Sequence, residues 1–212
     1  MKIKKIGFDI DDTLTRSEDF VVDTAREWYL REFGRNLPGP IRKEKYSFEE
    51  KFPSLTKREC DLFMTYYFPI GVKECPFRPG VQTLFKRLKE LGYGVEIVTR
   101  RDDIYNDGCT SYKGPVMKAD TLERFKKNNL FPDKFHFRCF DKLDVMEKND
   151  IDILVEDSPS NINRVATSRP VIIMTCGWNT GLETSPDKRT WRIENFDLRG
   201  FVKILRDIEE TY

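Results

Sequence analysis

Phe8-Asp9-Ile10-Asp11-Asp12-Thr13-Leu14 follows Ile3-Lys4-Lys5-Ile6-Gly7, a short β-prone run near the N-terminus. Residues 2–9 read as a buried parallel strand, and the C-terminal ends of such strands are where open α/β sheets bind ligands. Alternate strand residues point to opposite faces, so Asp9 and Asp11 project toward one side. Two carboxylates this close repel unless a cation neutralises them or they share a proton. Mg²⁺ suits that task, because it takes a few carboxylates and phosphate oxygens and keeps waters. A carboxylate can also be a nucleophile, as in aspartyl-phosphate chemistry. The competing reading is a solvated, Asp-rich turn at a strand end.

Outward from this stretch the pattern turns helical. Phe20, Val21, Thr24, Trp28 and Phe33 recur near helical spacing between Ser17 and Gly34. Asn36-Leu37-Pro38-Gly39-Pro40 breaks that helix. Ser47-Phe48-Glu49-Glu50 and the run from Ser54 to Glu59 look like helix starts with serine caps, and the second helix carries Cys60, Phe63, Met64, Tyr67 and Phe68. Residues 15–75 thus form a helical insertion between the first strand and the rest, residues 76–212.

Arg78-Pro79-Gly80 opens a helix with Val81, Leu84, Phe85 and Leu88 on one face. Gly94–Thr99 is the second strand. The polar segment from Asp102 to Lys118, with turn signals at Asp107-Gly108 and Lys113-Gly114, is long for its position and is a candidate for shaping a substrate entrance. A helix over Val116–Leu130, a third strand or a loop into one over Lys134–Phe140, and a short helix over Lys142–Lys148 follow. Ile151–Val155 is the fourth strand, Pro159–Val165 a helix and Val171–Met174 the fifth strand. A loop over Gly177–Arg189 leads to a last helix from about Leu198 to Glu209. Strands alternating with helices predict an α/β fold with a parallel sheet covered on both faces.

The chain has 212 residues, 39% hydrophobic and 34% charged, with net charge +1. One domain with room for an insertion fits that length. The balanced charge argues against a nucleic acid polymer as partner. The five cysteines are odd in number and lack a Cys-x-x-Cys spacing, as expected of free thiols in the cytoplasm. No run approaches the roughly 20 apolar residues of a spanning helix, so no membrane is expected. Oligomeric state is not legible.

Three further places carry chemistry. The second strand ends Ile97-Val98-Thr99-Arg100-Arg101. A hydroxyl there can bond a phosphate oxygen, and the following residues can offer backbone N–H groups. Arg100 and Arg101 are equally readable as added positive charge or as surface arginines. The fourth strand ends Val155-Glu156-Asp157-Ser158-Pro159, two acids that would meet Asp9 across the switch point. Their competing role is helix N-capping by Asp157 or Ser158. Asp141-Lys142 precedes a helix, with Lys148 a second choice of lysine. His136, the chain's one histidine, reads as structural.

Asp9-x-Asp11-x-Thr13, Thr99, Lys142 and the Glu156-Asp157 run occur in the order of the four motifs of the haloacid-dehalogenase-like phosphohydrolases, and the chain resembles that family. The resemblance implies a Rossmann-like core over 1–14 and 76–212, with residues 15–75 as a small helical C1-type cap. It implies Asp9 as nucleophile, Asp11 as general acid/base and Thr13 as a stabiliser of the turn. Thr99 and Lys142 would serve the phosphoryl group, with Arg100 as a further phosphate contact. Mg²⁺ would be held by Asp9, Asp11 and Asp157, the Asp11 carbonyl completing the set, with Glu156 direct, through water, or one layer behind. Ser160 and Asn161 would lie nearby. The arrangement looks like the 5′-nucleotidase/deoxyribonucleotidase-like branch, whose cap sets aromatic residues against a base. Tyr46, Phe48 and Tyr67 are the leading candidates here, with Phe52, Tyr66 and Phe68 behind them.

The expectation is a Mg²⁺-dependent phosphomonoesterase acting on a small phosphorylated metabolite, a nucleoside monophosphate first. A sugar-phosphate phosphatase or a phosphomutase would use the same groups. A phospho-ligand-binding protein that keeps the fold is the non-enzyme alternative.

Overall fold

The computed structural model describes residues 2–102 and 117–212, and all of those side chains except that of Phe68. Cys109 and both turn signals of the Asp102–Lys118 segment therefore lie outside the described residues. The strands are β1 (Lys5–Phe8), β2 (Gly94–Val98), β3 (Lys134–His136), β4 (Ile153–Glu156), β5 (Val171–Met174) and β6 (Thr190–Ile193). They form one sheet in the order β3-β2-β1-β4-β5-β6, every pairing parallel. The order reverses at β1, so the crevice outside the ends of β1 and β4 is the switch point.

Every residue of β4 and β5 is buried, as a sheet covered on both faces requires. Successive residues serve opposite faces. Ile6, Phe8, Ile97, Val155 and Met174 pack against α4 (Val81–Glu90), α8 (Leu198–Thr211) and Phe125 of α5 (Met117–Lys127). Val98, Leu154 and Ile173 pack against α6 (Lys142–Asn149) and α7 (Pro159–Val165). Gly80 caps α4 at φ 89°, and a Cβ there would stand 2.7 Å from the Phe196 carbonyl oxygen, so glycine is required twice over.

Between β1 and α4 the chain builds α1 (Ser17–Phe33), α2 (Phe48–Lys51) and α3 (Lys57–Glu74). Val22, Ala25, Trp28 and Tyr29 of α1 meet Phe52, Phe63 and Tyr67 in an aromatic cluster separate from the sheet's. Gly34 ends α1 in the left-handed region, at φ 64°. Before this segment and after it the chain runs side by side: Thr15 bridges Phe77, Arg16 N–H donates to Pro76 O (2.9 Å), and Arg78 N–H donates to Leu14 O (2.8 Å).

The parallel α/β architecture is as expected, with local corrections. β6 extends the sheet beyond the five strands read from the sequence. Of the run from Lys134 to Phe140, read as a strand or a loop into one, Lys134–His136 forms the strand. The second serine cap is wrong: Thr56 caps α3, in a reciprocal pair with Glu59, and Ser54 does not. Among the described residues, no helix is long and apolar enough to cross a membrane.

Candidate active site

Asp9 leaves β1 with its N–H donating to Val155 O (3.0 Å), which pins it between β1 and β4. The chain then makes one wide turn. Thr15 closes it by donating from N–H (3.0 Å) and Oγ1 (3.1 Å) to Ile10 O. Asp12 sits at φ 61°, a left-handed conformation that aspartate tolerates better than most residues. The Arg78 guanidinium donates to Asp12 O (2.8 Å). Thr13 Oγ1 donates to Asp157 Oδ1 (2.9 Å), tying this turn to the end of β4.

Thr99, 1% exposed, leaves β2 with its hydroxyl accepting from Arg101 N–H (3.2 Å). The neighbouring arginines part ways. Arg100 is exposed, its guanidinium 5.9 Å from the Phe140 ring centre. Arg101 is buried and grips Asp11 with two bonds, Nε to Oδ2 (2.9 Å) and Nη2 to Oδ1 (2.6 Å). The surface reading therefore fails for Arg101, which sequence reasoning left unassigned.

Asp141 caps α6 by accepting from the Leu143 and Asp144 N–H groups, which sets Lys142 in the first helical turn. Lys142 is 2% exposed, and its Nζ bonds both Asp9 Oδ1 and Glu156 Oε2, the latter at 2.6 Å. Lys148 pairs with Asp144 on the exposed side of the same helix. Glu156 also accepts from the Ser158 N–H (3.0 Å) and Asn161 Nδ2 (3.3 Å), while Ser160 bonds Ser158. Neither Asp157 nor Ser158 caps α7 through its side chain. Instead Asp157 accepts from Thr13 and from Trp178 Nε1 (3.2 Å). His136 bonds Glu96 (2.6 Å) within the sheet, away from these groups.

The structure thus brings Asp9, Thr99, Arg100, Lys142, Glu156 and Asp157 around one cavity of about 150 Å³, with Asp11, Asp12 and Tyr46 at its wall. Five acids face two bases there. Burial pushes the Asp9 carboxyl up to about 7, although Lys142 opposes the rise. Asp157 is raised well above the ordinary range by burial, then by Glu156 and Asp12. Burial would push the Lys142 ammonium down, but Asp9 and Glu156 more than offset this and hold it charged. Asp11 goes the other way. Its side chain is 55% exposed, and the Arg101 guanidinium outweighs its desolvation, so its carboxyl titrates below the ordinary range.

Oxygen atoms of Asp9, Glu156 and Asp157 lie within 4.8 Å of one another. An all-carboxylate donor set with uncompensated negative charge fits a hard divalent cation. The Asp11 carboxylate is not in this group, being held by Arg101, whereas Glu156 is in it.

A second cavity of about 300 Å³ adjoins the first, between the β1 turn and the helical insertion. Asp11, Asp12 and Ser17 form one side, and Tyr46, Phe48, Lys51, Met64 and Tyr67 the other. Tyr46, Phe48 and Tyr67 are thus placed on the cavity wall. Phe52 is buried in the aromatic cluster and Tyr66 stacks on Arg31 (4.3 Å), so neither lines it. Lys51 and Trp178 escaped the sequence reading. A lysine closing a short helix carries no signal, and Trp178 lies in a stretch read only as a loop.

No family model matches the chain. A protein of Oceanobacillus iheyensis, named as a candidate nucleotidase, is 23% identical over 184 residues, covering 80% of this chain and 85% of that one. A haloacid dehalogenase-like family hydrolase of Streptococcus pneumoniae superposes with TM-score 0.60 at 16% identity, over 94% of this chain and 98% of that one. A predicted phosphoglycolate phosphatase of Haemophilus somnus does so with TM-score 0.60 at 18% identity, over 96% and 98%. The chain has the haloacid-dehalogenase-like fold, as its motifs led one to expect.

Proposed function

Proceeding from that fold, we propose that the chain is a divalent-cation-dependent phosphomonoester hydrolase acting through an aspartyl-phosphate. The observation that carries the proposal is the convergence of Asp9, Lys142, Glu156 and Asp157 beside Thr99 in one small buried cavity. Asp9 Oδ attacks phosphorus, and the bond from phosphorus to the ester oxygen breaks. Asp11 gives its proton to that leaving oxygen. Asp11, now a carboxylate, takes a proton from water, the water oxygen attacks phosphorus, and the bond from Asp9 to phosphorus breaks. Inorganic phosphate leaves and Asp9 is restored. Lys142, Thr99 and Arg100 offset charge on the phosphoryl oxygens, where positioning and electrostatics do most of the work. Asp9, Glu156 and Asp157 would hold the cation, taken to be Mg²⁺, which supplies charge neutralisation at the phosphoryl group when bound.

The Arg101 clamp sets the order of events. It holds Asp11 ionised, the form needed to activate water, and opposes the protonated form needed first. Asp11 would therefore part from Arg101 and take up a proton from solvent before it gives that proton to the leaving oxygen.

Residues 15–75 act as a cap over a core of residues 1–14 and 76–212. The paired backbone bonds around Thr15 and Phe77 support that division. The cap reads the leaving group through Tyr46, Phe48 and Tyr67. The name of the Oceanobacillus protein supports a nucleoside monophosphate, and that of the Haemophilus protein a small phosphorylated acid. A sugar phosphate uses the same apparatus, as does a phosphomutase that keeps its phosphoryl group. The test is phosphate release from a panel of metabolites with Mg²⁺. Asp9→Asn is expected to lose at least about 10³-fold in kcat while melting cooperatively. Full activity in that variant removes the nucleophile assignment, and no release from any panel member favours a phospho-ligand-binding protein.

A further inference from the structure

Lys51 closes the short helix α2 and is 5% exposed, yet it lines the larger cavity. Among the described residues, no carboxylate lies within 4 Å of its ammonium. The closest described partner is the face of the Trp178 indole, 4.7 Å from Nζ to the ring centre. Asp12 feels its field from across the cavity, but the Asp12 carboxylate accepts from the Ser17 hydroxyl instead. Its backbone is fixed at both ends: Lys51 N–H donates to Ser47 O (3.0 Å) and Lys51 O accepts from Arg42 N–H (2.9 Å). The Lys51 stem is buried while its ammonium reaches the cavity, where the indole face is a weaker partner for the charge than an anion would be. Lys51 is absent from the wall of the small cavity where the reacting groups converge, so it is not placed to serve the transferred phosphoryl group.

We propose that Lys51 is a specificity-determining residue that pairs with an anionic oxygen on the leaving group. The substrate class is then a phosphomonoester whose leaving group carries a carboxylate or a second phosphate. This rests on the hydrolase reading above. The other walls, Phe48, Met64 and Tyr67 among them, are apolar or aromatic. They supply contact area, Asp11 and Asp12 stand on the facing side, and Lys51 is the one cation among the described lining residues, so an anion on the leaving group would be drawn to the Lys51 side and away from the acids. A neutral nucleoside would leave the Lys51 ammonium at the cavity wall without a counter-ion.

The test uses matched pairs of phosphomonoesters that differ only in carboxylate against carboxamide, at spacings of two to six bonds from the ester oxygen. Phosphorylated diol pairs, with and without a second phosphate, distinguish the two sources of the anion. The wild-type chain with Mg²⁺ is expected to prefer the anionic member of at least one pair by about tenfold to a hundredfold in kcat/KM, as for a charge-assisted bond in a sheltered site. Lys51→Met is expected to bring that ratio to about one, and Lys51→Arg to keep most of it. The neutral member serves in each variant as the reference for folded, competent protein. Hydrolysis without anion preference in any pair overturns the proposal, as does a preference that survives in Lys51→Met. If no ester of any kind is hydrolysed, the hydrolase reading itself fails.

Discussion

Two adjacent arginines show where side-chain direction decides chemistry. Arg100 faces the opening and Arg101 turns inward to take both oxygens of Asp11. Removing the clamp as Arg101→Met takes away the guanidinium that holds the Asp11 carboxyl below its ordinary range, so it titrates at higher pH. A larger share of Asp11 is then protonated at a given pH, so a step that needs the carboxylate moves its acid limb to higher pH. The pH profile of dephosphorylation in single turnover measures this, and an unmoved limb dissociates Arg101 from Asp11 function. The positions of Asp9, Thr99, Lys142 and Asp157 were legible because each follows a hydrophobic strand or opens a helix beside one. Arg101 was not, since a sequence does not say which of two neighbours points inward. Strand alternation likewise gave Asp11 a side and not a rotamer, so the turn of its carboxylate to Arg101 was not legible.

At the scale of elements, short strands and caps are where the sequence was hardest to read. β6 spans four residues, Thr190–Ile193, with the partly exposed Arg192 inside it. So brief a run lacks a readable period, and its place is fixed by pairing with β5 and by Trp191 packing in the core. The longer amphipathic helices α4 and α8 announced themselves through a repeated apolar face. The start of α3 turned on a competition between hydroxyls two residues apart. Thr56 won because Glu59 stands three residues on and its carboxylate accepts from the Thr56 N–H (2.7 Å). Thr56→Ala is expected to cost about 1 kcal/mol, a fall of roughly 2–4 °C in a chain of this size. A thermal melt checks it, and an unchanged melting temperature would mean that the cap is redundant with the packing of α3 on α1.

For the whole molecule, the excess of buried acid at the switch point sets how stability responds to pH. Burial lifts Asp9 to about 7 and Asp12 to about 6, against 3.8 for either in the unfolded chain. Between those values the folded chain keeps protons that the unfolded chain has released. Stability therefore falls as pH rises from about 4 to about 7 in the cation-free protein. A bound divalent cation removes the reason to hold those protons and flattens the slope. Melts in chelator are expected to drop by several degrees from pH 5 to pH 7.5, and melts in Mg²⁺ much less. A melting temperature that rises with pH in chelator contradicts the charge reading.

The pairing of Thr15 with Phe77 bears on how such a chain can change over generations. The core sees the two ends of the helical segment already joined, a backbone hydrogen bond apart. Loop-closure entropy rises only with the logarithm of length, about 0.6 kcal/mol per doubling. Whatever is spliced between those ends, short or long, therefore weighs little on the folding of the sheet. The helical segment and the floor that holds the acids meet at this junction as at a seam, with Arg124 bonding the Val72 carbonyl (3.0 Å) as a further tie between them.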